Sequence, residues 1–267
     1  MNKMRLISHY KGYGNPELYD ANSDIYAITD DFVMRDEYKN IPKDKKIAML
    51  IEPRAIQENV YEYMEKHYDE FKYVFSGDDR ILELPNAKPI LWGWVWYREE
   101  NPEKTKLMCM ISSNKEMCEL HKERKRIARK YKDKIDVYGT IDGGAYVEEN
   151  VHAPYKYEVV IENDIEDRWF TEKILNCFAN KTIPIYLGAR KIDEYFNSDG
   201  IIHCNTVEEL ERNVDEILND EFAGDLWYNL DRLGVLQENY ELSKQYKSFD
   251  DWFYKTYEKE IEEMFKW

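Results

Sequence analysis

Apolar residues in this chain fall in short runs separated by polar loops and by stretches with helical spacing. Residues 157–161 and 183–187 are β-branched and aromatic runs, the pattern of short buried strands. Between them Thr171 is a good N-cap, Glu172 and Lys173 open a helix, and Gly188 stops the second strand. The first half alternates in the same way. Strands are expected at 4–8, 24–28, 47–51 and 71–75, with a helix over 58–68. Residues 86–96 are apolar and rich in tryptophan, and 97–106 read as a polar linker containing Pro102. Strands follow at 107–111, 135–138 and 200–204. A basic helix is expected at 115–132, and one capped by Thr206 at 207–218. Such alternation implies α/β architecture with a mostly parallel sheet and helices on both faces. The expected organisation is two α/β domains, 1–100 and 106–220, and a segment, 221–267, that reads as helical throughout. In its tail Trp252, Phe253, Tyr257, Ile261 and Phe265 recur at helical spacing, a helix expected to pack back onto the protein, across both domains.

Composition narrows the function. The chain has 267 residues, 43% hydrophobic and 15% aromatic, with a net charge of −16. That acidity argues against nucleic-acid partners, which are held by Lys and Arg on phosphates, and against adhesion to anionic membranes. Any polyanionic ligand must sit in a local basic pocket. Cys109, Cys118, Cys177 and Cys204 form no CxxC pair and read as buried free thiols. The N-terminal stretch has no apolar signal-peptide core and no run approaches 18 apolar residues, so a cytoplasmic enzyme without a transmembrane segment is expected.

Open α/β sheets bind ligands at the carboxyl ends of strands and at helix N-termini, where free N–H groups favour anions. Glu162, Asn163, Glu172 and Lys173 cluster where a phosphate-bearing ligand is expected. A Lys in a first helical turn is electrostatically unfavourable for the helix itself, which points to a functional role for Lys173. P-loop, GxGxxG, GxSxG and DxD motifs are absent, and the five histidines are scattered, so metal chemistry is not expected.

The ordered pieces EN (Glu162, Asn163), TEK (Thr171 to Lys173) and TIPIYLGA resemble the signature of the α-1,3-fucosyltransferases, the glycosyltransferase family 10 enzymes. The resemblance implies a GT-B-like fold of two Rossmann-like domains, 1–100 for the acceptor and 106–220 for the nucleotide sugar, with a GDP-fucose donor, a glycan acceptor, inversion at the anomeric carbon, and no metal or other cofactor. It assigns Lys173 to the donor phosphates and Glu172 to donor hydroxyls. Asn163 is a donor contact, and Glu162 either a donor contact or a group that orients the loop. The segment SSNKEMCELHKERKRIARKY is similar to the family's SN strand end followed by a helix carrying a phosphate-binding Arg. Arg124 is the choice, with Lys122 and Arg126 as rivals. Trp169 stands where the family has Tyr, near the donor. The partial match LIEPRAI makes Glu52 the expected base, with Asp78 and Asp79 as substitutes. The other readings are a non-catalytic nucleotide- or carbohydrate-binding protein on the same fold, or a glycosyltransferase using another nucleotide sugar.

Overall fold

The computed structural model describes residues 2–219 and 230–266. The chain divides into two compact units. The first comprises the chain up to Trp94, Glu166–Trp169 and the chain from Tyr246 on; the second comprises Val95–Ile165 and Phe170–Gln245.

In the first unit five parallel strands lie in sequence order: β1 (Arg5–Ile7), β2 (Tyr26–Thr29), β3 (Lys46–Leu50), β4 (Val74–Ser76) and β5 (Ala87–Pro89). Successive side chains alternate between the two faces, so each strand feeds two cores. Ile28, Ala48, Leu50 and Val74 pack with Val60, Tyr61 and Met64 of helix α2 (Arg54–His67); the short α1 (Asp36–Lys39) precedes β3. Ala27, Ile47, Met49, Ile51 and Phe75 form the other core. That face is covered by the chain's last helices, α7 (Phe249–Thr256) and α8 (Glu258–Met264), through Phe249, Phe253, Tyr257, Ile261 and Met264. The reason is topological. Parallel crossovers are right-handed, so strands added always on the same side send every connection over one face. The opposite face needs a lid from elsewhere in the chain.

In the second unit the order is β10 (Ile202–His203), β9 (Ile183–Leu187), β8 (Tyr155–Ile161), β6 (Lys106–Ile111), β7 (Asp136–Tyr138), all parallel. Winding reverses at β6, whose neighbours are β7 on one side and β8 on the other. Met108, Met110, Tyr157, Val159, Ile183 and Ile185 pack against α3 (Glu119–Tyr131) and α5 (Val207–Asn219). On the other face α4 (Glu172–Ala179) lies on β8 and β9 and beneath α6 (Leu230–Ser243).

Several expectations are corrected. Helix α2 begins at Arg54, straight after Pro53, and is interrupted by non-helical Gln57 (φ −131°). The C-terminal segment is not one continuous helix: α6 ends at Ser243, Ser248 caps a new helix through the Asp251 N–H (3.2 Å), and Tyr257 breaks the path again. Residues 221–229 lie outside the described residues. The tail helices pack into the core of the first unit. The expected linker is strapped to α4: the N–H groups of Trp96 and Tyr97 donate to Asn176 Oδ1 (2.9 and 3.2 Å), and Lys104 Nζ donates to Asn180 O (2.7 Å). All four cysteines are buried and free. Among the described residues no helix is long and apolar enough to cross a membrane.

Candidate functional site

The second unit collects its polar side chains at the carboxyl ends of β6 and β8, on either side of the winding reversal. Crevices at such reversals are where open α/β sheets bind ligands. Strand β8 ends in Glu162, which is wholly buried. An isolated buried carboxylate would be strongly unfavourable, and here four donor contacts satisfy it. The Thr171 N–H donates to it (2.9 Å), the Thr171 hydroxyl reaches both oxygens (2.7 and 3.0 Å), and Lys173 Nζ sits 3.1 Å from Oε2. Lys173 also lies 3.3 Å from Glu172 Oε1. Burial works to lower the Lys173 ammonium, but Glu162 and Glu172 outweigh it and hold the group charged. Thr171 caps α4 through the Lys173 N–H, as its sequence position predicts. Gly188 is required by this packing: a Cβ there would collide with the Tyr186 hydroxyl and lie 2.6 Å from Glu162 Cγ.

Helix α3 supplies the second half of the site. Arg124 is 6% exposed and donates through Nη2 to Ile161 O and to Asn163 Oδ1 (2.8 Å). Burial lowers its pKa. Its Nε is buried and has no hydrogen-bond partner among the described residues, and the same holds for Ser112 Oγ at the end of β6. His121 accepts the Met117 N–H at Nδ1 (3.2 Å), so its Nε2 carries the proton and donates to Asn163 Oδ1 (3.0 Å). Burial, reinforced by Arg124, pushes His121 down to about 4, so it is neutral near pH 7. Two donors thus hold Asn163 Oδ1 and leave its Nδ2 as the group it can present. His121 escaped the sequence reading because lysines and arginines crowd the same helix; its i, i+3 spacing with Arg124 was the available signal. The rivals are otherwise engaged: Lys122 pairs with Glu119, and Arg126 with Glu123 and Glu211, all at the surface.

An open cavity of about 410 Å³ adjoins the end of β7, lined among others by Tyr138, Gly139, Tyr146, Glu148 and Glu149. Gly139 has φ +98°, and a Cβ there would collide with Ser112 O. The close approach of this turn to the end of β6 therefore demands glycine. Among the described residues no group of three or more His, Cys, Asp or Glu could hold a metal ion.

Residues 101–222 match the family model described as glycosyltransferase family 10 (fucosyltransferase), C-terminal domain. The sequence similarity to family 10 glycosyltransferases thus covers residues 101–222, somewhat less than half of the chain. No curated protein matches it in sequence. Solved structures agree on the GT-B architecture at low identity. An α1,3-fucosyltransferase with GDP is 14% identical with TM-score 0.56, covering 97% of this chain and 90% of that one. The same type of enzyme with GDP-fucose gives 14% and 0.52, covering 91% and 80%. TarM gives 9% and 0.56, covering 89% and 54%.

In the first unit Glu52 follows β3 and is half-buried. Tyr61 of α2 donates its hydroxyl to Glu52 O (2.7 Å), and Asp30 accepts the Ile51 and Glu52 N–H groups (2.7 and 3.0 Å). Asp78 is spoken for: it is buried and takes Arg54 through both oxygens (2.6 and 2.9 Å). Asp79 holds the Asp167 N–H (3.2 Å). Trp169 groups with the first unit, where it packs over Gly77 so closely that a Cβ at Gly77 would lie 2.6 Å from its ring. The structure therefore brings Glu162, Asn163, Glu172, Lys173 and Arg124 together in one unit and sets Glu52 and Trp169 in the other.

Proposed function

We propose that the protein transfers fucose from GDP-fucose to a glycan hydroxyl, with inversion and without a metal ion. The observation that carries this reading is the set of buried donors left unsatisfied at the winding reversal, Arg124 Nε and Ser112 Oγ. Buried polar groups are almost always paired. Two such groups at the carboxyl-end side of this sheet, Arg124 near Lys173 and Ser112 at the end of β6, suit a phosphate-bearing ligand, and they fall inside the family-matched residues. The GDP and GDP-fucose complexes of the structural neighbours support the same donor.

The roles follow from the chemistry. Glu52 accepts the proton of the acceptor hydroxyl. The oxygen bonds to the anomeric carbon as the bond to the β-phosphate oxygen breaks, and GDP leaves with the extra negative charge. Arg124 and Lys173 meet that charge; Arg suits the task because its planar fork fixes phosphate oxygens in place. Glu162 aims Lys173, and Glu172 accepts hydrogen bonds from donor hydroxyls. The cavity beside Tyr146 offers an aromatic face and two carboxylates to the nucleobase.

Isothermal titration with GDP, GDP-fucose, GDP-mannose and UDP-N-acetylglucosamine, with and without EDTA, tests the donor. Selective binding of GDP and GDP-fucose that survives EDTA is expected. Preference for a uridine nucleotide would overturn the donor assignment, as would binding that EDTA abolishes for the metal-free reaction. Glu52→Gln should abolish turnover while leaving GDP binding unchanged.

A further inference from the structure

The first unit holds a buried carboxylate that the mechanism above does not use. Asp30 closes β2, is 7% exposed, and has φ +47°. Left-handed backbone at a non-glycine residue is uncommon and persists where surrounding contacts over-determine it. The contacts here are specific. One oxygen, Oδ1, accepts both the Ile51 N–H at 2.7 Å and the Glu52 N–H at 3.0 Å. From the opposite side of the same turn the Tyr61 hydroxyl donates to Glu52 O at 2.7 Å. The backbone of Glu52 is thus gripped at its N–H and at its C=O by side chains from two different elements.

We propose that Asp30 is a positioning residue for the reaction: its carboxylate fixes the turn that presents the Glu52 side chain, with Tyr61 as the second tether. The proposal rests on the reading of Glu52 as the base. Asp30 itself need not touch either substrate.

The grip depends on pH. Burial pushes Asp30 up to about 7, against the pull of the two N–H donors, and the neighbouring charges of Glu52 and Asp31 add to the rise. The other ionisable groups facing it are the phenols of Tyr13 and Tyr61, both held above the usual tyrosine range by burial. Asp31 is in turn paired with His9 and Arg35. Ionised Asp30 is the stronger acceptor, so turnover should rise as pH passes through about 7.

Asp30→Ala, Asp30→Asn and Glu52→Gln separate the possibilities. The readouts are amide hydrogen exchange at Ile51 and Glu52, GDP affinity, and GDP release from GDP-fucose with water as acceptor. In Asp30→Ala exchange at the two amides should speed up, GDP affinity should hold, and kcat should fall about 10²-fold, the usual cost of misplacing a reacting group by about an ångström. Asp30→Asn keeps the acceptor oxygen, so it should restore most of kcat and lose the neutral-pH limb of the profile. Unchanged exchange in Asp30→Ala overturns the positioning role, and so does an Asp30→Asn enzyme that retains the wild-type pH limb. Faster exchange in Asp30→Ala together with full turnover in Glu52→Gln would instead sink the base assignment and leave the grip on the turn standing.

Discussion

The two sheets have the same number of strands and the same parallel sense, yet they solve different problems. The second winds outward in both directions from β6, so its connections divide between two faces and a crevice opens at the reversal. The anion-ready groups sit at that crevice: Arg124, Ser112, Lys173 and the N-terminus of α4. The first winds in one direction, so it has no reversal and no comparable crevice. Its buried charged groups are engaged within the unit: Asp30 braces a turn, Asp78 neutralises Arg54, Lys46 donates to the carbonyls of Tyr38 and Lys39, and Asp250 accepts the Tyr13 and Asn15 N–H groups. Winding order thus goes with a difference in the buried polar groups: unsatisfied donors at the reversal of the second sheet, internally paired charges in the first.

The sharpest way to break this contrast is to remove the borrowed lid. Phe253 is fully buried against the exposed face of the first sheet, and Phe253→Ala should cost about 3–5 kcal/mol. Chemical denaturation followed by hydrogen exchange should show the loss confined to the first unit, with GDP binding retained. Next in size, Arg124→Ala should weaken GDP by about 10²-fold, since it removes a buried charged partner. Arg124→Lys should not rescue it, because an ammonium that takes over the Nη2 bonds to Ile161 O and Asn163 Oδ1 has no planar fork left to offer a phosphate. Calorimetric titration reads both. Glu162→Gln tests whether Lys173 is aimed by its buried partner: about 1–3 kcal/mol of stability should go, and GDP affinity with it, by thermal melts and the same titration.

Smaller effects come from protons. Asp30 ionises near 7 when folded and near 3.9 when unfolded. Between those values the folded chain holds a proton that the unfolded chain has lost, so stability should fall as pH rises from about 4 to about 7 and then level off. Asp30→Asn should flatten that slope in urea titrations. Last, His121 is neutral above about 4, so its protonation should add nothing to the pH dependence of GDP binding between pH 6 and 8. A His121→Asn protein whose affinity varies with pH differently from wild type over that range would contradict the tautomer assigned here.

What the amino-acid sequence disclosed was local. Strands β8 and β9 read correctly because both their faces are buried, which leaves an unbroken apolar run, and Thr171 announces the start of α4. Glu162, Asn163, Glu172 and Lys173 could be grouped because they lie within a dozen residues of one another, whereas Arg124 and His121 come from a helix some forty residues earlier. Features built from distant segments could not be read. The lid on the first sheet joins residues near 250 to strands before residue 76, and no periodicity records such a pairing. The break at Ser248 was masked because aromatic residues continue through it, although Ser248 followed by Asp251 is a capping pattern. Asp30 carries no local signal of its role. Its importance lies in two backbone donors twenty-odd positions away.

The returning helices also set an order of assembly. Residues 95–245 leave the ribosome before α7 and α8 exist, so the second unit can close while the first sheet still shows Ile47, Met49 and Phe75 to solvent. The half of the molecule made first is therefore finished last. Until it is, the nascent chain carries an adhesive apolar surface, and that interval is when a chaperone would have most to do.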